Sequence, residues 1–182
     1  REIRRQSQAP LILFSYLNPI LRYGLERFAA DAVESGADGV LITDLSVDEA
    51  GPFVAPMRRQ GLDTIFLAAP TSTDERLQRV AELSTGFVYA ISRTGVTGTR
   101  DRLSGSVVPL LERLRSYTSL PIAAGFGISR PEHLAELAPV VDGVVVGSAL
   151  VRCVEDHLEN PAPRVAEFAR WLREGFKSQP RP

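Results

Sequence analysis

Three short stretches hold the residues best suited to chemistry: "SRTGVTGTR" (92–100), "GFGIS" (125–129) and "VGSAL" (146–150). Each is a glycine-punctuated turn at the end of an apolar run. Glycine lets a backbone N–H approach an oxygen with no Cβ in the way. A helix opening at "GSAL" would present its first N–H groups without internal partners, at the positive end of its dipole. A phosphate suits such a place. Gly98, Gly127 and Gly147 would each direct a peptide N–H, and Ser148 would add a hydroxyl. A single such turn is a tight turn as readily as an anion site, but three after successive strands point to one shared anion. No GxxxxGK[ST] occurs, which argues against a nucleoside triphosphate. Residues 93–100 read as a lid, with glycine hinges and polar contacts from Arg93 and Thr97 on closing; an ordinary surface loop is the alternative.

The elements that must position these loops recur as a βα beat. Six apolar runs start near 11, 38, 63, 86, 121 and 142: "LILF", "DGVLIT", "DTIFLA", "GFVYAI", "PIAA" and "DGVVV". They are continuous rather than alternating, as in strands covered on both faces. Helical stripes lie between them. One runs Leu21, Leu25, Phe28, Ala29, Ala32 and Val33, closed by Gly36. Another holds Leu77, Val80 and Ala81, with Ser72 and Glu75 as a capping box. A third holds Val107, Leu110, Leu111 and Leu114, and the last runs from Val165 to Phe176. A helix after the second run must accommodate Pro52 and Pro56. The beat predicts a parallel sheet with right-handed crossovers. A doubly wound sheet places its phosphate glycines after the first strand, whereas a barrel places them after the last ones. The glycines here follow the fourth, fifth and sixth runs, which favours an α/β fold of the (β/α)8 TIM-barrel type. Six βα units are present where eight are needed. The expectation is one domain over 1–182, an incomplete barrel lacking its first two βα units, with unpaired edges and a frayed tail over 177–182.

Composition narrows the function. The 182 residues carry Lys+Arg 21 against Asp+Glu 22, for a formal net charge of −1. No global basic field exists for nucleic acid or an anionic membrane. No apolar run approaches membrane-span length, and the basic N-terminus lacks a signal-peptide core. Cys153 stands alone, so no internal disulfide forms, and it reads as a small buried hydrophobe. His133 and His157 are too few and too isolated for a metal site; both are expected on helix surfaces. The compartment expected is the cytoplasm.

"SRTGVTGTR", "GFGIS" and "VVVGSAL", together with "SYLNPILRYG" (15–24) and "DGVLITDLSVDEA" (38–50), closely resemble the tryptophan synthase alpha subunit family from Leu11 to about Trp171. The resemblance implies a (β/α)8 barrel that cleaves indole-3-glycerol phosphate to indole and glyceraldehyde 3-phosphate. It implies an alpha2-beta2 assembly in which a beta subunit holds pyridoxal phosphate, with no cofactor in the alpha subunit. By resemblance, Gly98, Gly127, Gly147 and Ser148 hold the phosphate. Phe14, Leu41, Thr43 and Phe126 surround the indole. Tyr89 lines the site, and Thr97 is the lid threonine that contacts a catalytic aspartate. Asn18 and Pro19, with Ser46, face the beta subunit.

Two departures stand out. Where the family's loop after the fourth strand reads Asp-x-Pro, this chain has Asp44-Leu45-Ser46, which is expected to loosen that loop. The family's two catalytic carboxylates belong to units absent here, so these residues alone are expected to be inactive. Asp44 comes nearest the site, while Asp48 and Glu49 read as a helix-start pair. Two alternatives remain beside the lyase subunit. One is another phosphate-binding barrel, of the phosphoribosyl isomerase or indole-glycerol-phosphate synthase kind. The other is a non-catalytic binding or regulatory subunit.

Overall fold

The computed structural model describes residues 1–91, 107–125 and 127–177, with residues 176 and 177 through their backbone only. They form two compact units. The first comprises Arg1–Ala68, Ser72–Tyr89 and Leu114–Leu120; the rest of the described chain belongs to the second.

In the first unit, α1 (Glu2–Gln6) leads into β1 (Ile12–Ser15), α2 (Leu17–Tyr23), α3 (Leu25–Glu34), β2 (Gly39–Ile42), α4 (Gly51–Arg59), β3 (Asp63–Ala68) and α5 (Asp74–Leu83). The strands β1, β2 and β3 pair in parallel and in chain order, followed by the opening of β4 (Val88–Ile91). The register sets Ile12 opposite Gly39, Phe14 opposite Leu41, and Leu41 opposite Ile65. Gly39 is there for closeness. A Cβ on it would stand 3.0 Å from the Cδ1 atoms of both Ile12 and Ile65, tighter than packed side chains accept.

The register has a visible cause. Asp38 stands just before β2 and accepts the Leu11 N–H on its carboxylate at 2.7 Å, while its own N–H donates to the Leu11 carbonyl at 2.9 Å. Arg4 then ties α1 to the same corner. Its guanidinium donates to Asp38, to the Gly36 carbonyl and to the Ala9 carbonyl. On β3, the buried Thr64 is satisfied by its hydroxyl donating to the Leu83 carbonyl and its N–H donating to the Thr85 hydroxyl. Ser84 is buried as well and accepts the Phe66 N–H. Both satisfy the requirement that buried polar groups be paired.

In the second unit, the end of β4 is followed by β5 (Ile122–Gly125) and β6 (Gly143–Val144). The last two are parallel, with Ala123 opposite Gly143. Asp142 repeats the Asp38 device: its carboxylate accepts the Ile122 N–H at 2.8 Å, and its N–H donates to the Ile122 carbonyl at 3.0 Å. The helices are α7 (Pro131–Leu137), α8 (Ser148–Glu155) and α9 (Pro161–Lys177), and α9 packs on both of the others. Gly175 permits that approach, since a Cβ there would lie 2.1 Å from the Pro131 carbonyl oxygen. A further helix, α6 (Val107–Arg115), buries Val107, Leu110, Leu111 and Leu114, the stripe read from sequence.

Five readings need correction. Cys153 is half-buried rather than buried, on the short helix α8 whose neighbours along the chain are largely exposed. The stripe 21–33 is two helices, because the chain breaks at Gly24 with φ +97°. Leu21 and Val33 are consequently exposed. The cap of α5 is Thr73 rather than Ser72: its hydroxyl accepts the Arg76 N–H at 3.3 Å. His133 is buried, not on a surface. Its Nδ1 accepts the Ser129 N–H at 3.3 Å, which closes the turn before α7. The last apolar run yields a strand of two residues only. The helix with two prolines does form: Pro52 sits in the first turn of α4, and Pro56 is buried inside it.

The Leu11 N–H, with Arg4 behind it, holds the Asp38 carboxyl below the usual carboxylate range. A depressed folded-state value gives stability that is present above the unfolded value and lost as pH falls through the folded one. Thermal melts of Asp38→Asn should therefore lie below wild type at pH 7, with the gap narrowing as pH falls below about 3.9, the ordinary value of an aspartate. A gap that stays constant across that range would contradict the clasp.

Candidate functional site

The first unit gathers an apolar row. Parallel register partners share a face, so Phe14, Leu41 and Ile65 line up across β1, β2 and β3. Thr43, two residues beyond Leu41, continues that side past the strand end. Leu41 and Ile65 are buried, while Phe14 is 65% exposed because β1 pairs with β2 on one side only among the described residues. Ile65 was not singled out from the sequence. It emerges only with the register, which a continuous apolar run does not reveal. The row rests on the close Ile12–Gly39–Ile65 contact beneath it. Tyr89 on β4 is half-buried, and burial pushes its phenol pKa up. It therefore stays a neutral hydrogen-bonding group over the physiological range.

Two loops of the same unit carry the polar groups. Asn18 and Pro19 are exposed at the start of α2. Asp44 accepts the Leu17 N–H at 2.7 Å. Ser46 is half-buried rather than free: its hydroxyl donates to Asp48 at 3.2 Å and accepts from Arg76 at 3.0 Å. These bonds fasten the Ser46 loop to Arg76 on α5. Asp48 is engaged by the same arginine, at 3.8 Å.

The second unit carries the backbone donors. Gly127 follows β5 and takes φ +69°, a left-handed conformation that favours glycine. Gly147 is the N-cap of α8 and has no side-chain cap, so the first N–H groups of that helix are available to an outside acceptor. Gly147 and Ser148 are both exposed. Nothing lies within 4 Å of where a Gly147 Cβ would stand, and its φ is −109°. No steric contact within the protein explains that glycine. Because β5 and β6 are parallel neighbours, the loops holding Gly127 and Gly147 leave the same end of the pair. The remaining members of the expected set, Thr97, Gly98 and Phe126, together with Arg93, lie outside the described residues.

A hollow of about 330 Å³ lined by Glu26, Pro56, Arg59 and Gln60 lies among helix residues, away from the strand ends. Among the described residues, no cluster of three or more His, Cys, Asp or Glu could hold a metal ion, and no helix is long and apolar enough to cross a membrane.

A family model described as "Tryptophan synthase alpha chain" matches residues 1–179. The chain belongs to the tryptophan synthase alpha chain family. It is 57% identical over 178 residues to the tryptophan synthase alpha chain of Solibacter usitatus, covering 97% of this chain and 67% of that one. It is 46% identical over 179 residues to the corresponding chain of Geotalea uraniireducens, covering 98% and 67%. Two solved structures agree. The tryptophan synthase complex of Pyrococcus furiosus matches with TM-score 0.87 at 37% identity, over 95% of this chain and 69% of that one. The tryptophan synthase a2b2 complex of the same organism matches with TM-score 0.85 at 38% identity, over 98% and 71%. The fold is thus the TIM-barrel α/β fold of these alpha subunits. Membership favours the lyase-subunit reading over both alternatives. The chain spans about two thirds of the length of these relatives.

The two glycines separate under mutation. Gly127→Ala should lose about 1–2 kcal/mol of stability from its left-handed backbone. Gly147→Ala should lose less than about 1 kcal/mol, the cost of a poorer cap. Urea melts of the two variants measure the difference, and equal losses would contradict the assignment.

Proposed function

We propose that these residues perform the alpha-subunit part of tryptophan synthesis: carbon–carbon cleavage of indole-3-glycerol phosphate to indole and glyceraldehyde 3-phosphate. The match to one family over residues 1–179, with TM-score 0.87 to a tryptophan synthase complex, carries this reading. The backbone donors at Gly127 and Gly147 with Ser148, and at Gly98 by resemblance, take the phosphate. The row of Phe14, Leu41 and Ile65, with Thr43 and by resemblance Phe126, takes the flat indole ring. Tyr89 lines that site as a neutral phenol, and by resemblance Thr97 is the lid threonine. Residues 1–182 act as one domain in this reading.

Cleavage needs one group to protonate indole C3 and another to hold the ring N–H as positive charge develops. By resemblance, those two carboxylates belong to βα units outside these 182 residues. The resemblance gives Asp44 neither role, and one of its oxygens accepts the Leu17 N–H. The residues here bind and orient the substrate. Indole then passes to a beta subunit holding pyridoxal phosphate, in an alpha2-beta2 assembly of the cytoplasm, against the surface formed by Asn18, Pro19 and Ser46. No cofactor is needed in this subunit.

The test is a chimaera in which residues 1–182 replace the matching two thirds of the Solibacter usitatus chain. It should release indole from indole-3-glycerol phosphate at a rate within about tenfold of the parent, a difference of about 1.4 kcal/mol in barrier. Residues 1–182 alone should release none. A folded chimaera without activity would overturn the reading.

A further inference from the structure

We propose that Asp44 is a positioning residue that joins the two partner-facing loops of the first unit into one face. The inference rests on the reading above for the identity of the partner. It begins with a defect in α2. Leu17 is the first residue of the helix, so its N–H has no intrahelical acceptor, and Tyr16 before it provides no side-chain cap. Asp44 supplies the acceptor from another element, 27 residues further along, at 2.7 Å. A carboxylate at that end of a helix is favoured twice, by the hydrogen bond and by the dipole.

The Asp44 backbone is held on both sides. Before it, Thr43 donates its N–H to the Ser15 carbonyl at 3.1 Å. After it, Leu45 and Val47 are buried, and Ser46 is held between Arg76 and Asp48. A carboxylate on so fixed a segment sets where α2 begins. Asn18 and Pro19 are the next two residues of that helix and are exposed. The Leu17–Asp44 bond therefore fixes Asn18 and Pro19 relative to Ser46. The bond is solvent-exposed and contributes little to global stability. Its effect lies in the orientation of the surface.

The experiment titrates the full chain with the beta subunit of its assembly, by calorimetry, and follows hydrogen exchange at the Leu17 amide. Asp44→Ala should weaken the affinity about five- to twentyfold and speed that exchange. Asp44→Asn keeps an acceptor oxygen and should stay within about threefold of wild type. Leu17→Pro removes the N–H and leaves Asp44 intact. Tyr16 at φ −96°, ψ 159° already has the conformation required before proline, and the first helical position accepts one. Leu17→Pro should reproduce the loss of Asp44→Ala, and the double variant should lose no more than either alone. Leu17→Ala, which keeps the N–H, should bind as wild type does. Thermal melts verify that each variant is folded. Weak binding by Asp44→Ala with normal binding by Leu17→Pro would mean that Asp44 touches the partner itself, and would overturn the proposal. Normal binding by Asp44→Ala would overturn it as well. Failure of the wild type to bind would instead overturn the partner assignment on which it rests.

Discussion

Two aspartates set the geometry on which the candidate site depends. Asp38 and Asp142 each stand one residue before a strand, and each accepts an N–H at the start of the preceding strand, from Leu11 just before β1 and from Ile122 of β5. Each returns its own N–H to the carbonyl of the same residue. Parallel pairing does not fix register by itself, since a slip by one residue exchanges the two faces of a strand. A charged acceptor at the strand start removes that freedom. In the first unit it places Phe14 opposite Leu41; in the second it places Ala123 opposite Gly143. With register fixed and strands parallel, the loops within each unit leave from one end, where the polar groups are required.

The glycines separate packing from function. Gly39 and Gly175 are required by neighbours that a Cβ would strike, and Gly127 by its backbone angle. Gly147 has no neighbour that a Cβ would strike. A residue that the fold would allow to be larger, placed where a helix leaves its first N–H groups free, has its reason outside the fold. That reasoning agrees with a phosphate ester as the ligand and uses no acid or base. It also suits a division of labour in which these residues bind and orient while carboxylates from other units move the proton.

Much of this was legible in the sequence, and the misreadings share a cause. Strands covered on both faces read as continuous apolar runs, so their number and order could be read directly. The recurrent Asp-Gly-Val at 38–40 and 142–144 was visible as well, though not its role, because the partner N–H lies 20 or more residues away. The stripe over 21–33 kept a helical period across Gly24 because the helices on both sides are amphipathic. Ser46 reads only as the loss of a rigid ring, because its bonding partner Arg76 lies 30 residues further on. His133 looked like a surface residue because its partner is a backbone N–H, which leaves no mark on side-chain pattern. Local periodicity was readable, whereas bonds between distant polar groups required coordinates.

The central claim is that peptide N–H groups at the ends of late strands converge on one negatively charged ligand. Amide chemical shifts followed by NMR during titration with glycerol 3-phosphate address it most directly. The account predicts that Gly127, Gly147 and Ser148 amides move together along one saturation curve. Shifts that saturate at separate concentrations, or spread over the surface without those three, would contradict it.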